Sequence, residues 1–329
     1  MKKKQIILGT AAAVCAAALT VTVCCSRYRR PSVHRFRVGI AVYQADDPYL
    51  QSLTDQIMQA LQSKNQNGTE ILYDFFDASG SAYQQNNQLH TMMQQEYDVI
   101  LWNPVTPTNV MGILEEAESR SIPVILFNRE PAETDIEAQA HVWYVGTDAQ
   151  EAGTIQGNML IQAWQVGNAD RNQDGVVDYL LIEGEQAHAD VINRTDAFLR
   201  TASASLSLHQ LQVLSANWSR TTACKELENL PEETIRQAEA VICSNDSMAL
   251  GVYDFYTKQQ WKLPILIGIN GIPEMRNAID SGQLYGTVDL NVTAQAEQIA
   301  KLVEAIAEDN SAELEQRIFY LPQYPYTKH

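Results

Sequence analysis

The sequence predicts an α/β protein made of two doubly wound parallel sheets. Three observations carry that expectation. From residue 36 onward, short apolar runs alternate with amphipathic segments. The runs are continuously apolar, as strands buried on both faces of a parallel sheet require. The whole alternation then passes along the chain twice.

The strand-like runs are 36–43, 71–76, 99–102, 123–127 and 142–145, followed after a polar interval by 179–182, 211–214, 240–243, 265–269 and 284–288. Between them Leu50, Leu53, Ile57 and Leu61 recur on one helical face, and Val110, Ile113, Leu114 and Ala117 on another. Strand–helix alternation of this kind implies right-handed βαβ units and open sheets. A chain of 329 residues suits two such domains better than one core. Loop-rich seams fall at Gly146-Thr147-Asp148 and at 289–291, and a third crossing is expected near Tyr320. The expected division is a leader of 1–35, one domain of 36–146 plus 291–320, and a second of 147–290 plus 321–329, joined by a three-strand hinge. Ligands of doubly wound folds bind at the carboxyl ends of the strands. That singles out Asp46, Asp47, Asn103, Asn128, residues 185–194, Asn245, Asp246 and Asn270.

The first thirty residues read as an export segment. Lys2, Lys3 and Lys4 precede an apolar, small-residue-rich run to Cys25, and Arg27, Arg29 and Arg30 follow. Cys24 follows Val21-Thr22-Val23 in the manner of a lipoprotein cleavage box, although Val23 is larger than such a box prefers. A run of about 20 apolar residues also suffices for an uncleaved transmembrane anchor. Lipoprotein, anchor and released protein all place the body outside the cytoplasm, the first two tethered to the membrane. The formal net charge of −17 argues against a nucleic-acid partner. Cys15, Cys24 and Cys25 belong to the leader, so Cys224 and Cys243 alone remain, too few for a disulfide framework. Free thiols or one incidental bridge both fit.

The loop 170–178 places Asp170, Asn172, Asp174 and Asp178 at positions 1, 3, 5 and 9 of a calcium-type loop, with Gly175 at the turn and the Val176 carbonyl at position 7. Position 12 is Leu181 where such a loop needs a bidentate Glu, so a structural Ca²⁺ needs a further carboxylate from elsewhere. An Asx-rich turn without metal is the alternative.

Several segments together resemble one family. They are Val42-Tyr43 with Asp46-Asp47 and Tyr49; Phe127-Asn128-Arg129-Glu130-Pro131; Tyr144-Val145-Gly146-Thr147-Asp148; Gly184-Glu185 with His188, Asp190 and Arg194; Trp218; and Ser244-Asn245-Asp246 with Met248-Ala249. With the 170–178 loop just upstream of Gly184, the chain from Val38 to about Pro322 is similar to the bacterial galactose/glucose-binding proteins. These are type I periplasmic binding proteins that serve ABC uptake and sometimes chemotaxis. The resemblance implies a monomeric receptor, not an enzyme, that closes by hinge motion around a monosaccharide and hands it to an ABC permease. A sensing subunit feeding a chemoreceptor or sensor kinase has the same binding chemistry. The resemblance also supplies Glu239 as the missing calcium ligand.

A pyranose offers a rim of hydroxyls and two partly apolar faces, so a selective site needs planar polar groups around the edge and aromatic rings against the faces. The resemblance assigns Asp47, Asn128, His188, Asp190, Arg194 and Asn245 to the edge, and Tyr49 and Trp218 to stacking, where the family usually has Phe at the first. Each has an ordinary structural role as well: Asp47 as a helix cap, Asp190 and Arg194 as an i,i+4 ion pair, the rings as core. Two positions depart from the pattern. Asn270 stands where Asp is usual, and Leu290 stands where a hydrogen-bonding residue is expected, flanked by Asp289 and Asn291. An amide accepts at one end and donates at the other, so Asn270 alters recognition at that edge. Galactose or glucose is the leading ligand, altered recognition at Asn270 and Leu290 being the expected departure.

Two rivals fare worse. No serine or cysteine nucleophile sits in a recognisable elbow, although His188/Asp190 and Asp46/Asp47 could imitate acid–base pairs. A sugar-responsive repressor would carry a basic helix-turn-helix where this chain has an apolar leader.

Overall fold

The computed structural model describes residues 34–65, 69–166, 169–310 and 314–328. The expected leader of 1–35 lies outside the described residues, apart from its last two positions, where β1 already begins. Among the described residues no helix is long and apolar enough to cross a membrane.

Two six-stranded sheets are present. The first contains β1 (His34–Val42), β2 (Thr69–Asp77), β3 (Val99–Trp102), β4 (Val124–Phe127), β5 (Val142–Gly146) and β11 (Ile318–Tyr320), in the order β11-β5-β4-β3-β1-β2. The second contains β6 (Val176–Glu183), β7 (Ser207–Ser215), β8 (Ala240–Cys243), β9 (Ile265–Asn270), β10 (Gly286–Asp289) and β12 (Tyr324–Thr327), in the order β12-β10-β9-β8-β6-β7. All pairings are parallel except β10 with β12. The central strands β3, β4 and β8 are buried at every residue, as their continuous apolar runs predict. The edge strands β2 and β7 are mostly exposed or half-buried, because only one neighbour covers them, and they extend well beyond the apolar runs in the sequence.

Helices complete the βαβ units. α1 (Pro48–Ser63) buries Leu50, Leu53, Ile57 and Leu61 on one face, the stripe predicted from their spacing. Truncating Leu53 to Ala there would cost about 2–5 kcal/mol. α2 (Ala82–Gln94), α3 (Met111–Ser119) and α4 (Glu133–Glu137) serve the first sheet. α5 (Ala149–Val166), α6 (Ala189–Ser203), α7 (Arg220–Glu228), α8 (Glu232–Gln237), α9 (Asp246–Gln259) and α10 (Pro273–Asp280) serve the second. α11 (Val292–Ala307) returns to pack against α1. Gly153 of α5 faces the backbone of α6, where a Cβ would overlap the Arg194 carbonyl, so the two helices can approach closely.

The chain passes between the sheets after β5, after β10 and after β11. These crossings run side by side. Leu321 N–H donates to the Gly146 carbonyl at 2.8 Å, the Gln323 amide donates to the Asp148 carbonyl at 2.7 Å, and the Asn291 amide donates to the Pro322 carbonyl at 3.4 Å.

Candidate ligand-binding cleft

The carboxyl ends of both sheets face one cleft. Its inner cavity brings together all nine residues assigned to the site from sequence: Asp47, Tyr49 and Asn128 from the first lobe, with His188, Asp190, Arg194, Trp218, Asn245 and Asn270 from the second. Tyr43, Leu50, Arg129 and Leu290 complete the lining.

The first-lobe wall is held by its own hydrogen bonds. Asp47 caps α1, its Oδ1 accepting from the Tyr49 and Leu50 N–H groups at 2.9 Å each, and its Oδ2 accepts from the Tyr43 hydroxyl at 3.0 Å. A carboxylate has about four acceptor sites, so one remains on Oδ2 for a ligand. Burial raises this carboxyl above its ordinary pKa. Asn128 follows β4 in a left-handed conformation (φ 62°), its Oδ1 accepting from Asn103 at 3.1 Å. Asn103, fully buried, also accepts from Tyr43 N–H. It lies behind the cavity and positions two residues that line it. The Tyr49 ring is buried, and its hydroxyl accepts from Gln295 of α11 at 3.0 Å.

The second-lobe wall is bonded differently. His188 caps α6 through Nδ1, which accepts from Asp190 N–H at 3.2 Å. That fixes the neutral tautomer with its proton on Nε2. Burial, the largest influence, lowers the pKa of this imidazole. Arg194 donates to the Ser244 carbonyl at 2.8 Å and reaches Asp190 at 3.4 Å. Trp218 lies edge-on to His188, ring centroids 5.6 Å apart, and Gly184 leaves it room, since a Cβ there would overlap the indole. Asn245 caps α9 through Oδ1 and donates its amide to the Trp218 carbonyl at 3.1 Å. Asn270 ends β9 at φ 133°. Among the described residues, three buried atoms on this wall have no hydrogen-bond partner: His188 Nε2, Arg194 Nε and Asn270 Oδ1. Beneath them fully buried Asp246 accepts from Thr287 Oγ1 at 2.6 Å and Ile272 N–H at 2.9 Å, tying β9 to β10. Burial pushes its carboxyl up to about 7.

One ion pair spans the cleft. Arg129, buried and stacked 3.9 Å over the Tyr43 ring, meets Glu185 at 2.6 Å, and Glu185 also accepts from the Trp218 indole at 3.2 Å. Tyr43 and Arg129 lie within segments that carry the family resemblance, but a pair formed across two lobes leaves no local spacing by which to assign it.

Residues of the 170–178 loop lie together with Glu239, whose carboxylate accepts from Arg171 N–H at 2.6 Å and Asp178 N–H at 3.2 Å. Asp170 accepts from the Gln173 and Gly175 N–H groups, Asn172 donates to Asp174, Val176 N–H donates to Asp174, and Asp178 pairs with His209 at 2.7 Å. Six hard oxygen donors suit Ca²⁺ chemically. Their side chains turn to one another and to backbone N–H groups, and among the described residues no three His, Cys, Asp or Glu converge on one point as a metal requires. Cys224 and Cys243 are both free.

The chain is 29% identical over 295 residues to the D-galactose/methyl-galactoside binding periplasmic protein of Haemophilus influenzae, covering 87% of this chain and 88% of that one. It is 23% identical to the ribose import binding protein of Bacillus subtilis, covering 83% and 81%. The structure of an ABC transporter solute binding protein from Bacillus halodurans with bound myo-inositol superposes with a TM-score of 0.74 at 22% identity, covering 90% and 95%. These matched proteins are solute-binding proteins, not enzymes. A family model described as a periplasmic binding protein domain matches residues 38–311, and the chain belongs to that family, with the fold of its type I members.

Proposed function

We propose that this protein is the extracytoplasmic receptor of an ABC uptake system, closing its two lobes around one D-aldohexopyranose of the galactose or glucose type. The three partnerless atoms on the second-lobe wall carry this reading. A buried polar group left unpaired costs about 1–3 kcal/mol, so the wall is complete only with a ligand in place. Two are donors (His188 Nε2 and Arg194 Nε) and one is an acceptor (Asn270 Oδ1). Hydroxyls, which both donate and accept, answer that mixture. Asp47 and Asp190 disfavour an anion, and Arg129 and Arg194 disfavour a cation. Tyr49 and Trp218 supply aromatic surface for the sugar faces. The three parallel crossings act as the hinge between 36–146 plus 291–320 and 147–290 plus 321–329. Titration calorimetry across hexoses, deoxyhexoses and pentoses, with small-angle scattering of the same samples, tests this. A hexose should bind and compact the protein. Tight binding of a non-sugar with none to any hexose or pentose would end the reading.

The leader of 1–35 is proposed to tether the receptor to the outer face of the membrane, as a lipoprotein or by a transmembrane anchor, where it acts as a monomer. A structural Ca²⁺ is the separate proposal for Asp170, Asn172, Asp174, the Val176 carbonyl, Asp178 and Glu239. Its support is the oxygen spacing and the presence of Glu239 at the loop. Binding would require Asn172 and Asp178 to exchange their present partners for the ion. Metal-stripped protein should then melt higher on adding Ca²⁺. An unmoved melting curve would remove calcium from the account.

A further inference from the structure

One corner of the inner cavity is apolar where the rest of its edge is polar. Leu290, directly after β10, lines the cavity and is buried, as is Leu50 in the first turn of α1. Gln295 of α11 ties the corner together, donating to the Tyr49 hydroxyl at 3.0 Å and to the Leu290 carbonyl at 2.6 Å. Leu290 N–H in turn donates to the Asn270 carbonyl at 3.4 Å. The lining therefore runs from Tyr49 through Leu290 to Asn270, with a hydrocarbon side chain at its middle.

The polar neighbours of Leu290 are committed elsewhere. Asp289 accepts from Asn291 N–H at 2.8 Å and pairs with Arg276 at 2.6 Å. Asn291 accepts from Ala294 N–H as the cap of α11 and donates its amide to the Pro322 carbonyl. Neither residue is part of the cavity lining. The backbone N–H and carbonyl of Leu290 are already bonded to Asn270 and Gln295, and Leu50 N–H is bonded to Asp47. A hydroxyl set against Leu290 would lose its water and gain no partner from this residue or from either neighbour, a penalty that a C–H group escapes. We infer that the ligand presents a bare carbon at this corner, and that the receptor takes a deoxyhexose whose missing hydroxyl is the one that would face Leu290. The inference rests on the sugar-receptor reading and narrows its ligand class.

The test is titration calorimetry on the full-length protein with glucose, galactose and every monodeoxy form of each. One monodeoxy sugar should bind about tenfold tighter than its parent hexose, the scale of one hydroxyl buried without a partner. Removing any other hydroxyl should weaken binding. Leu290→Asn supplies the missing partner and should bring the ratio of deoxy to parent affinity down to about one or below. Leu290→Thr is a milder change in the same direction and carries the same expectation, with circular dichroism to confirm that each variant folds. If hexoses bind and every monodeoxy form binds more weakly than its parent, the deoxyhexose assignment falls and the receptor reading stands. A deoxy preference that survives unchanged in the folded variants removes Leu290 as its cause, and the assignment falls with it. If no sugar of the panel binds, both readings fall together.

Discussion

The two walls of the cleft are built on different principles. On the first lobe, Asp47, Tyr49 and Asn128 are already engaged by Tyr43, Gln295 and Asn103. On the second, His188, Arg194 and Asn270 each keep a buried atom without a partner. The first wall is a preformed template whose geometry exists without ligand. The second, on the proposed function, is the wall that a ligand completes. Since unmet buried polar groups are the costly ones, affinity should be concentrated on the second lobe and shape on the first.

The largest expected effect follows from that asymmetry. Trp218→Ala removes the ring that packs against His188 and Gly184 and donates to Glu185. Loss of such a central aromatic should weaken sugar binding by about a hundredfold or more. Asn128→Ala, on the template wall, should cost about tenfold or less. Calorimetry on both variants, with circular dichroism to confirm folding, checks the pair. Equal losses would break the distinction between the walls.

A smaller effect sharpens it. Asn270 stands where the family resemblance expects Asp, and its Oδ1 is the one partnerless acceptor on the wall. Asn270→Asp replaces the donating end with a second acceptor, for which two sugar hydroxyls can compete. Affinity for galactose or glucose should rise by about tenfold, the worth of one charge-assisted hydrogen bond. No gain for any hexose would mean that the native ligand requires the amide.

How far the sequence spoke for itself differs between fold and site. Interior strands such as β3, β4 and β8 are legible because burial on both faces leaves an unbroken apolar run. β11 and β12 are not. They are three and four residues long and no better than half-buried, and backbone pairing to β5 and β10 creates them rather than side-chain pattern. Site residues such as Asn128 and Asn245 are legible by position, immediately after strands. Asn103 is legible by position too, but its role behind Tyr43 and Asn128 depends on contacts the sequence does not display. The Arg129–Glu185 bridge is long-range in the same way. In the 170–178 loop the oxygen spacing is local and readable, whereas the direction of the oxygens is not: Asp170 and Asp174 turn to the loop's own N–H groups, and Asp178 turns to His209 of β7.

The smallest expected effect concerns acid. Burial depresses the pKa of His188 below its ordinary 6.5, with Asp190 and Glu185 opposing that shift and Arg129 and Arg194 adding to it. A base whose folded pKa is lowered binds fewer protons folded than unfolded. Its contribution to stability is therefore fully present above pH 6.5 and is lost as pH falls from there towards the folded value. Structurally, a proton on Nδ1 turns the acceptor for Asp190 N–H into a donor and uncaps α6. His188→Asn tests this with little disturbance, because Asn is itself a strong cap and does not titrate. Melting temperature followed from pH 7.5 to 5 should fall less steeply in the variant than in the parent, with the two nearly equal at the neutral end. Parallel curves across that range would mean that folding leaves the proton affinity of His188 unchanged, and that neither burial nor the α6 cap holds its imidazole neutral on the second wall.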